Sequence, residues 1–274
     1  MHLFLLPASI ASATSVIISG GGPTGVETAG EVGQFLNGSA GWFSSRPSNP
    51  KAKVTLITKD DKLLPVLSKP HALKAESFLN MVGVDVVYNV GVLSSVTEAD
   101  GKTTVNLSYG DQWTADVNIP AWGTTPNTEY VPADLKNDRG YIKTNGTTLR
   151  ADAAGPRVYV AGDVGDYSRG GFHNLYATIP TLVTNIRRDL YAAAFSSEPD
   201  AKPEGPDRLF TPNNSETQAV PIGPRGVGAV NGWGLPSFLI WLLKCRNYMI
   251  GNIPLTLNGY NAPAPQRVIY DQRT

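Results

Sequence analysis

Gly20-Gly21-Gly22-Pro23-Thr24-Gly25 stands directly after the β-branched run Ser15–Ser19 (SVIIS) and opens a helix-forming stretch, Thr24–Leu36. A bare G-x-G-x-x-G says little, but between a strand and a helix it carries a mechanism. Gly20 permits the tight turn, Gly22 lets a pyrophosphate approach the backbone, and Gly25 lets helix and strand pack closely. The N–H groups at the helix start, helped by the helix dipole, are the donors for the phosphates.

Outward from this loop the pattern stays α/β. Val26, Ala29, Gly30, Val32 and Gly33 give the helix a small-residue face, and a Gly/Ser/Pro-rich loop, Asn37–Pro50, follows. Lys53–Thr58 (KVTLIT) reads as a second strand, and Pro70–Val82 as a helix burying Leu73, Ala75, Phe78 and Leu79 before Gly83 stops it. Val84–Tyr88 is a third strand. Val92–Glu98 and Thr103–Tyr109 flank an Asp100-Gly101 hairpin turn, and Trp113–Ile119 is expected to extend that meander. The fold class predicted is α/β, a Rossmann-like dinucleotide-binding domain over residues 15–127 behind an apolar lead-in, 1–14. Past residue 127 the texture changes. Gly140–Thr144 and Arg157–Ala161 read as short strands, and Thr178–Ala194 as a helix with Ile179, Leu182, Val183, Ile186 and Leu190 on its buried face. Ser196–Asn214 is a polar, Pro-rich linker, and Leu235–Leu243 is strongly apolar; Trp233, Phe238, Trp241 and Leu242 are expected to form core or pocket wall, with interfacial membrane contact as the alternative.

Composition narrows the function classes. Of 274 residues, Lys plus Arg and Asp plus Glu number 23 each, so there is no electrostatic reason to propose nucleic acid or an anionic membrane as partner. The single cysteine, Cys245, allows neither an internal disulfide nor a C-x-x-C pair, so redox chemistry here needs a bound cofactor; the thiol itself reads as a buried small apolar group. No metal-ligand spacing is present, and no apolar run reaches the length of a membrane span. A cytoplasmic location is expected, with peripheral attachment to a membrane as the alternative.

The second strand ends Thr58-Lys59-Asp60-Asp61. Lys59 facing a 2′-phosphate favours NADP, Asp60 facing a ribose hydroxyl favours NAD, and both could instead be solvated turn residues. Asp163, Asp166, Tyr167, His173 and Tyr176 crowd one stretch after a strand end. His173 is a candidate general acid or base oriented by Asp166, with Tyr167 or Tyr176 as proton donor, against the reading of a surface histidine in a Gly-rich loop.

The run Gly20–Glu31 (GGGPTGVETAGE) resembles the pyridine-nucleotide segment of two-dinucleotide flavoproteins, in particular their fungal apoptosis-inducing-factor-like branch. Leu63-Leu64-Pro65, Gly83–Val86, Ala121–Asn127 and Val158–Val164 (VYVAGDV) fit the same family in the same order, as do Gly226-Val227-Gly228, Gly232–Ser237 and Lys244–Tyr248. The resemblance implies that Gly20, Gly22, Pro23, Thr24 and Gly25 cradle NAD or NADP, that Glu27 lies towards the nicotinamide, that Gly123 lines the cleft, and that Gly162 and Asp163 face a flavin. In the family an FAD-binding glycine motif lies far upstream, whereas fourteen residues precede Ser15 here. The expectation is therefore a truncated flavoprotein-like oxidoreductase in which FAD binding is doubtful. Residues 128–195 would be a remnant of the FAD domain and 196–274 a loop-rich C-terminal segment. The 158–161 strand would need a new partner within a repacked lobe or a homodimer. Its substrate would be a small apolar or quinone-like molecule. The alternatives are a redox-neutral isomerase, cyclase or lyase of fungal secondary metabolism built on His173, Asp166 and Tyr167, and a non-catalytic binding partner.

Overall fold

The structure, a computed structural model, describes residues 6–168, 170–195, 205–245, 250–254 and 258. Its elements run α1 (Leu6–Ser12), β1 (Ser15–Ser19), α2 (Pro23–Asn37), β2 (Lys53–Ile57), α3 (Lys69–Met81), β3 (Val84–Val87), β4 (Val92–Thr97), β5 (Thr103–Leu107), β6 (Gln112–Ala115), β7 (Val117–Pro120), α4 (Phe172–Phe195), β8 (Gln218–Ile222), β9 (Arg225–Val230), β10 (Trp233–Gly234) and α5 (Ser237–Ile240). The chain divides into two compact units, one made of residues 1–123 and 215–251, the other of 124–214 and 252–274.

In the first unit a parallel sheet has the order β3-β2-β1-β7. Such a sheet buries both faces, so its strands read as continuous apolar runs. Val16 and Ile18 point with Val54 and Leu56 into a core shared with Val26 and Ala29 of α2. Ile17 and Ile57 point the other way, where Val105, Leu107 and Ala115 of the antiparallel β4-β5-β6 meander cover them. Trp113–Ile119 is not one strand. It breaks at Asp116 into β6, the meander's edge, and β7, which joins β1 in parallel with Val16 opposite Val117. In α3 the buried side chains are Ala72, Ala75 and Leu79; Leu73 is exposed, because that helix turns a narrower apolar stripe to the sheet than the spacing suggests.

The antiparallel β8-β9-β10 sheet packs on the outer face of α2. Val220, Ile222, Val227 and Ala229 belong to the same core as the parallel sheet. Gly30 is what allows this: a Cβ there would lie 2.7 Å from the Ile222 Cα. The small-residue face of α2 therefore serves two neighbours, Gly30 facing β8 and Gly33 facing Val82 and Val84. Glu216 ties the start of this segment down by accepting the Ser68 N–H at 3.0 Å, at the N-cap of α3.

The second unit has little regular structure besides α4. Gly140–Thr144 and Arg157–Ala161 form isolated bridges instead of strands. The Val158–Val160 segment pairs locally: Ala151 N–H donates to Val158 O, and Val160 N–H to Leu149 O, both at 3.0 Å. A neighbouring turn thus supplies the pairing expected of a new lobe or a second copy. The part of Ser196–Asn214 that is described, 205–214, packs, with Phe210 buried beside Leu149 and Leu182. The remainder of that linker, residues 196–204, lies outside the described residues, as do residues 1–5, the Arg246-Asn247-Tyr248 motif and the side chains of His173 and Cys245. No helix among the described residues is long and apolar enough to cross a membrane, and none of their His, Cys, Asp and Glu groupings could hold a metal ion.

Candidate functional site

The glycine loop is held from three sides. Gly20 N–H donates to Ile57 O at the end of β2 (2.8 Å), and Ala121 N–H, after β7, donates to Ser19 O (2.8 Å). Gly21 O accepts the Leu64 N–H at 2.9 Å. Leu64 holds φ 51° with its side chain fully buried beside Leu63 and Leu67, so the Leu63-Leu64-Pro65 run braces the loop from below. These braces were not legible as such, since each is a backbone contact with a segment distant in the chain.

Glycine is demanded at three of the loop's positions by contact: a Cβ on Gly21 would press on the buried Thr58 side chain at 2.6 Å, and Gly20 and Gly25 are tighter still. Gly20 has φ 134°, and a Cβ on it would collide with Ala121 O; a Cβ on Gly25 would collide with Gly20 O. At Gly22 the situation is reversed: its backbone is ordinary (φ −74°, ψ −180°) and nothing lies within 4 Å of an added Cβ. Gly22 is the N-cap of α2, and the first helical bond runs from Val26 N–H to Gly22 O at 3.0 Å. The N–H groups of Thr24 and Gly25 lie in the first turn, which has no acceptors within the helix. The loop therefore presents donors and a dipole to an open space, which is the geometry a phosphate needs.

At the end of β2, Thr58 is buried and its Oγ1 accepts the Asp60 N–H at 3.3 Å; Lys59 is exposed and Asp60 half-buried. Gly123 is exposed at φ 102° with open space around it. Glu27 lies in the second turn of α2 and pairs with Lys244 of the C-terminal segment, Nζ to Oε1 at 2.5 Å. Burial pushes the Glu27 carboxyl above its usual range; Lys244 pulls it back and Glu31 pushes it up again.

In the second unit, Gly162 and Asp163 form a single 3-10 turn, and Asp163 Oδ1 accepts the Gly171 N–H at 3.1 Å. Asp166 Oδ1 accepts the Thr144 N–H at 2.9 Å, and the Tyr167 hydroxyl accepts the Gly162 N–H at 3.1 Å. These side chains hold loops together. His173 begins α4. Among the expected core residues near the C-terminus, Ile240 alone is fully buried, against Gly226 and Gly228 of β9; Trp233, at 78% exposure, Phe238 and Trp241 face outward.

Residues 5–187 match the family model described as pyridine nucleotide-disulphide oxidoreductase. The chain belongs to that family. Members of the family use FAD and NAD(P), and the fold class read from the glycine loop is theirs. Oxidoreductase phnG of Penicillium herquei is 43% identical over 251 residues, which is 89% of this chain and 59% of the relative. Oxidoreductase ptaL of Pestalotiopsis fici is 28% identical over 254 residues, 91% of this chain and 60% of the relative. The chain thus spans about six tenths of the length of these curated relatives. Among solved structures, the ferredoxin reductase for the CYP199A2 system from Rhodopseudomonas palustris aligns with TM-score 0.59 at 14% identity, over 82% of this chain and 49% of that one. The Cu(II) complex of the HOCl-induced flavoprotein disulfide reductase RclA from Escherichia coli aligns with TM-score 0.52 at 22% identity, over 80% and 42%. At such identities the likeness is one of fold.

Proposed function

We propose that this chain binds NADH or NADPH through Gly20, Gly22, Pro23, Thr24 and Gly25, as the dinucleotide-binding part of a flavoprotein-type oxidoreductase. Its acceptor in this reading is a small apolar or quinone-like molecule. The observation that carries the reading is the contrast within the glycine loop: Gly20 and Gly25 have no room for a Cβ, while Gly22 opens onto free space at a helix N-terminus. A nicotinamide dinucleotide fits that cradle, its pyrophosphate on the first-turn N–H groups and its hydride-carrying ring towards the Glu27 side of α2. A flavin would need a second cradle of this kind. Among the described residues one helix follows a strand through a G-x-G-x-x-G turn, so no step is assigned to FAD here. The fungal origin of the phnG and ptaL relatives supports the apoptosis-inducing-factor-like branch as the place of this chain within its family. No observation favours the redox-neutral alternative, since Asp166 and Tyr167 are engaged by backbone N–H groups.

The test is nucleotide binding by the wild-type chain and by Gly22→Ala. A ligand at about 100 times its Kd stabilises the folded state by about 2.7 kcal/mol, a rise in melting temperature that is easily read. Gly22→Ala is expected to fold with a loss of about 1 kcal/mol or less, since Gly22 makes no side-chain cap bond for alanine to remove. Its response to NADH and NADPH is expected to vanish. A wild-type melting temperature unmoved by millimolar amounts of either nucleotide, or an equal response in Gly22→Ala, overturns the reading.

A further inference from the structure

Lys244 comes from the far end of the chain and reaches the first turns of α2. Its Nζ lies 2.5 Å from Glu27 Oε1 and donates a second hydrogen bond to Ala219 O of β8 at 2.9 Å. Both side chains are largely buried, at 28% and 20% exposure. Glu27 is five residues beyond Gly22, so the two sit roughly 7.5 Å apart along the helix axis. A pyrophosphate at Gly22 would add two negative charges to that end of the helix. The dipole favours them, but a buried carboxylate so close opposes them unless a cation offsets it. Lys244 is that cation. The other charged group that shifts Glu27 is Glu31, one turn further on, and it adds to the opposition.

We propose that Lys244 is a positioning residue of the dinucleotide site, holding the Glu27 carboxylate against β8 and neutralising it so that a pyrophosphate can bind at Gly22. The inference rests on the glycine loop being the dinucleotide cradle. It makes the segment after residue 214 a component of the cofactor site and not only a cover for α2.

The experiment measures NADH and NADPH affinity of the full chain by calorimetry between about pH 5.5 and about pH 8.5. Lys244→Gln leaves Glu27 buried without its partner, with a carboxyl pKa still raised by burial. Below that pKa the carboxyl is neutral and opposes nothing; above it the charge appears. The Kd of Lys244→Gln should therefore approach wild type as pH falls and weaken, roughly tenfold, as pH rises. Lys244→Arg should stay near wild type, and Glu27→Gln combined with Lys244→Gln should recover the affinity. Glu27→Gln alone, which keeps Lys244, should bind more tightly and without the pH dependence; it serves where Lys244→Gln folds poorly. A Lys244→Gln loss that ignores pH and is not rescued by the double variant is a packing effect and overturns the proposal, as does wild-type affinity throughout. If the wild-type chain binds neither nucleotide, the glycine-loop reading fails and this inference falls with it, an outcome visible without any variant.

Discussion

Asp116 sits at the corner between β6 and β7 and accepts three hydrogen bonds through Oδ2: from Thr14 N–H and Thr14 Oγ1, each at 2.8 Å, and from Ser15 N–H at 3.0 Å. Its own N–H donates to Ser15 Oγ at 2.9 Å. The Thr14 hydroxyl bond, reinforced by the backbone bonds, lowers the carboxyl to about 2 from its usual 3.8. A depressed folded pKa means stability that is full above the unfolded value and lost as pH falls from about 4 to about 2. The corner lies near the surface, so the effect should be about 1 kcal/mol or less. Wild type should lose melting temperature across that window more steeply than Asp116→Asn, which should start slightly lower at neutral pH; equal acid slopes in the two would refute the assignment. The same residue explains a limit of sequence reading. Trp113–Ile119 alternates apolar and polar residues without interruption, so its period-2 pattern does not mark the break; the donors that impose it lie about a hundred residues upstream. The glycine loop, by contrast, was legible because its turn, its cradle and its helix are consecutive in the chain.

Element periodicity failed for α4 for a different reason. The expected buried stripe includes Leu190, which is 58% exposed, while Thr178, Thr181, Thr184, Asn185, Arg188 and Asp189 are buried. Hydrophobic spacing presumes a hydrocarbon partner, and α4 instead faces an ionic one. Asp189 is contacted by Arg150 Nη2 at 3.0 Å and by the Tyr159 hydroxyl, and Arg150 Nη1 reaches Asp207 at 2.5 Å. Asn185 completes the join, donating to Arg208 O at 3.0 Å and accepting the Arg208 N–H at 2.9 Å. Burial and the Asp189 carboxylate both push the Tyr159 phenol up, so it stays a donor at any ordinary pH. Removing one member of such a network strands a buried charge, which costs about 3–5 kcal/mol, whereas replacing the pair by apolar groups is often neutral. Arg150→Met, which leaves the buried Asp189 without its cation while Asp207 keeps Arg188, should therefore unfold the second unit at far lower urea than wild type, and adding Asp189→Leu should recover much of the loss. An Arg150→Met variant within 1 kcal/mol of wild type would show the network to be ornamental to stability.

Chain order and core membership part company over the whole molecule. The chain leaves the first unit at Gly123 and rejoins it at Ser215, and the returning β8-β9 pair is buried in the same core as β1 and β2. Closing an excursion of that length costs only slowly growing loop entropy, which the buried Val220, Ile222, Val227 and Ala229 side chains can exceed. The sequence made this segment look loop-rich because Gly226 and Gly228 take the place of side chains on one face of β9. Ile240 of α5 fills that space, and a Cβ on either glycine would collide with it or with Gln218 O. Glycine in a strand then signals close approach and not a loop. If β8 and β9 are core, their amides should exchange through the same global opening as β2, because no smaller unfolding exposes Ile222 without stripping the Gly30 face of α2. Native-state hydrogen exchange should place the amides of Ala219–Ala229 within about 1 kcal/mol of those of Val54–Ile57. Protection lower by several orders of magnitude would mean that the hairpin opens alone, and Lys244 would then reach Glu27 only part of the time, with a correspondingly weaker hold on any nucleotide at the glycine loop.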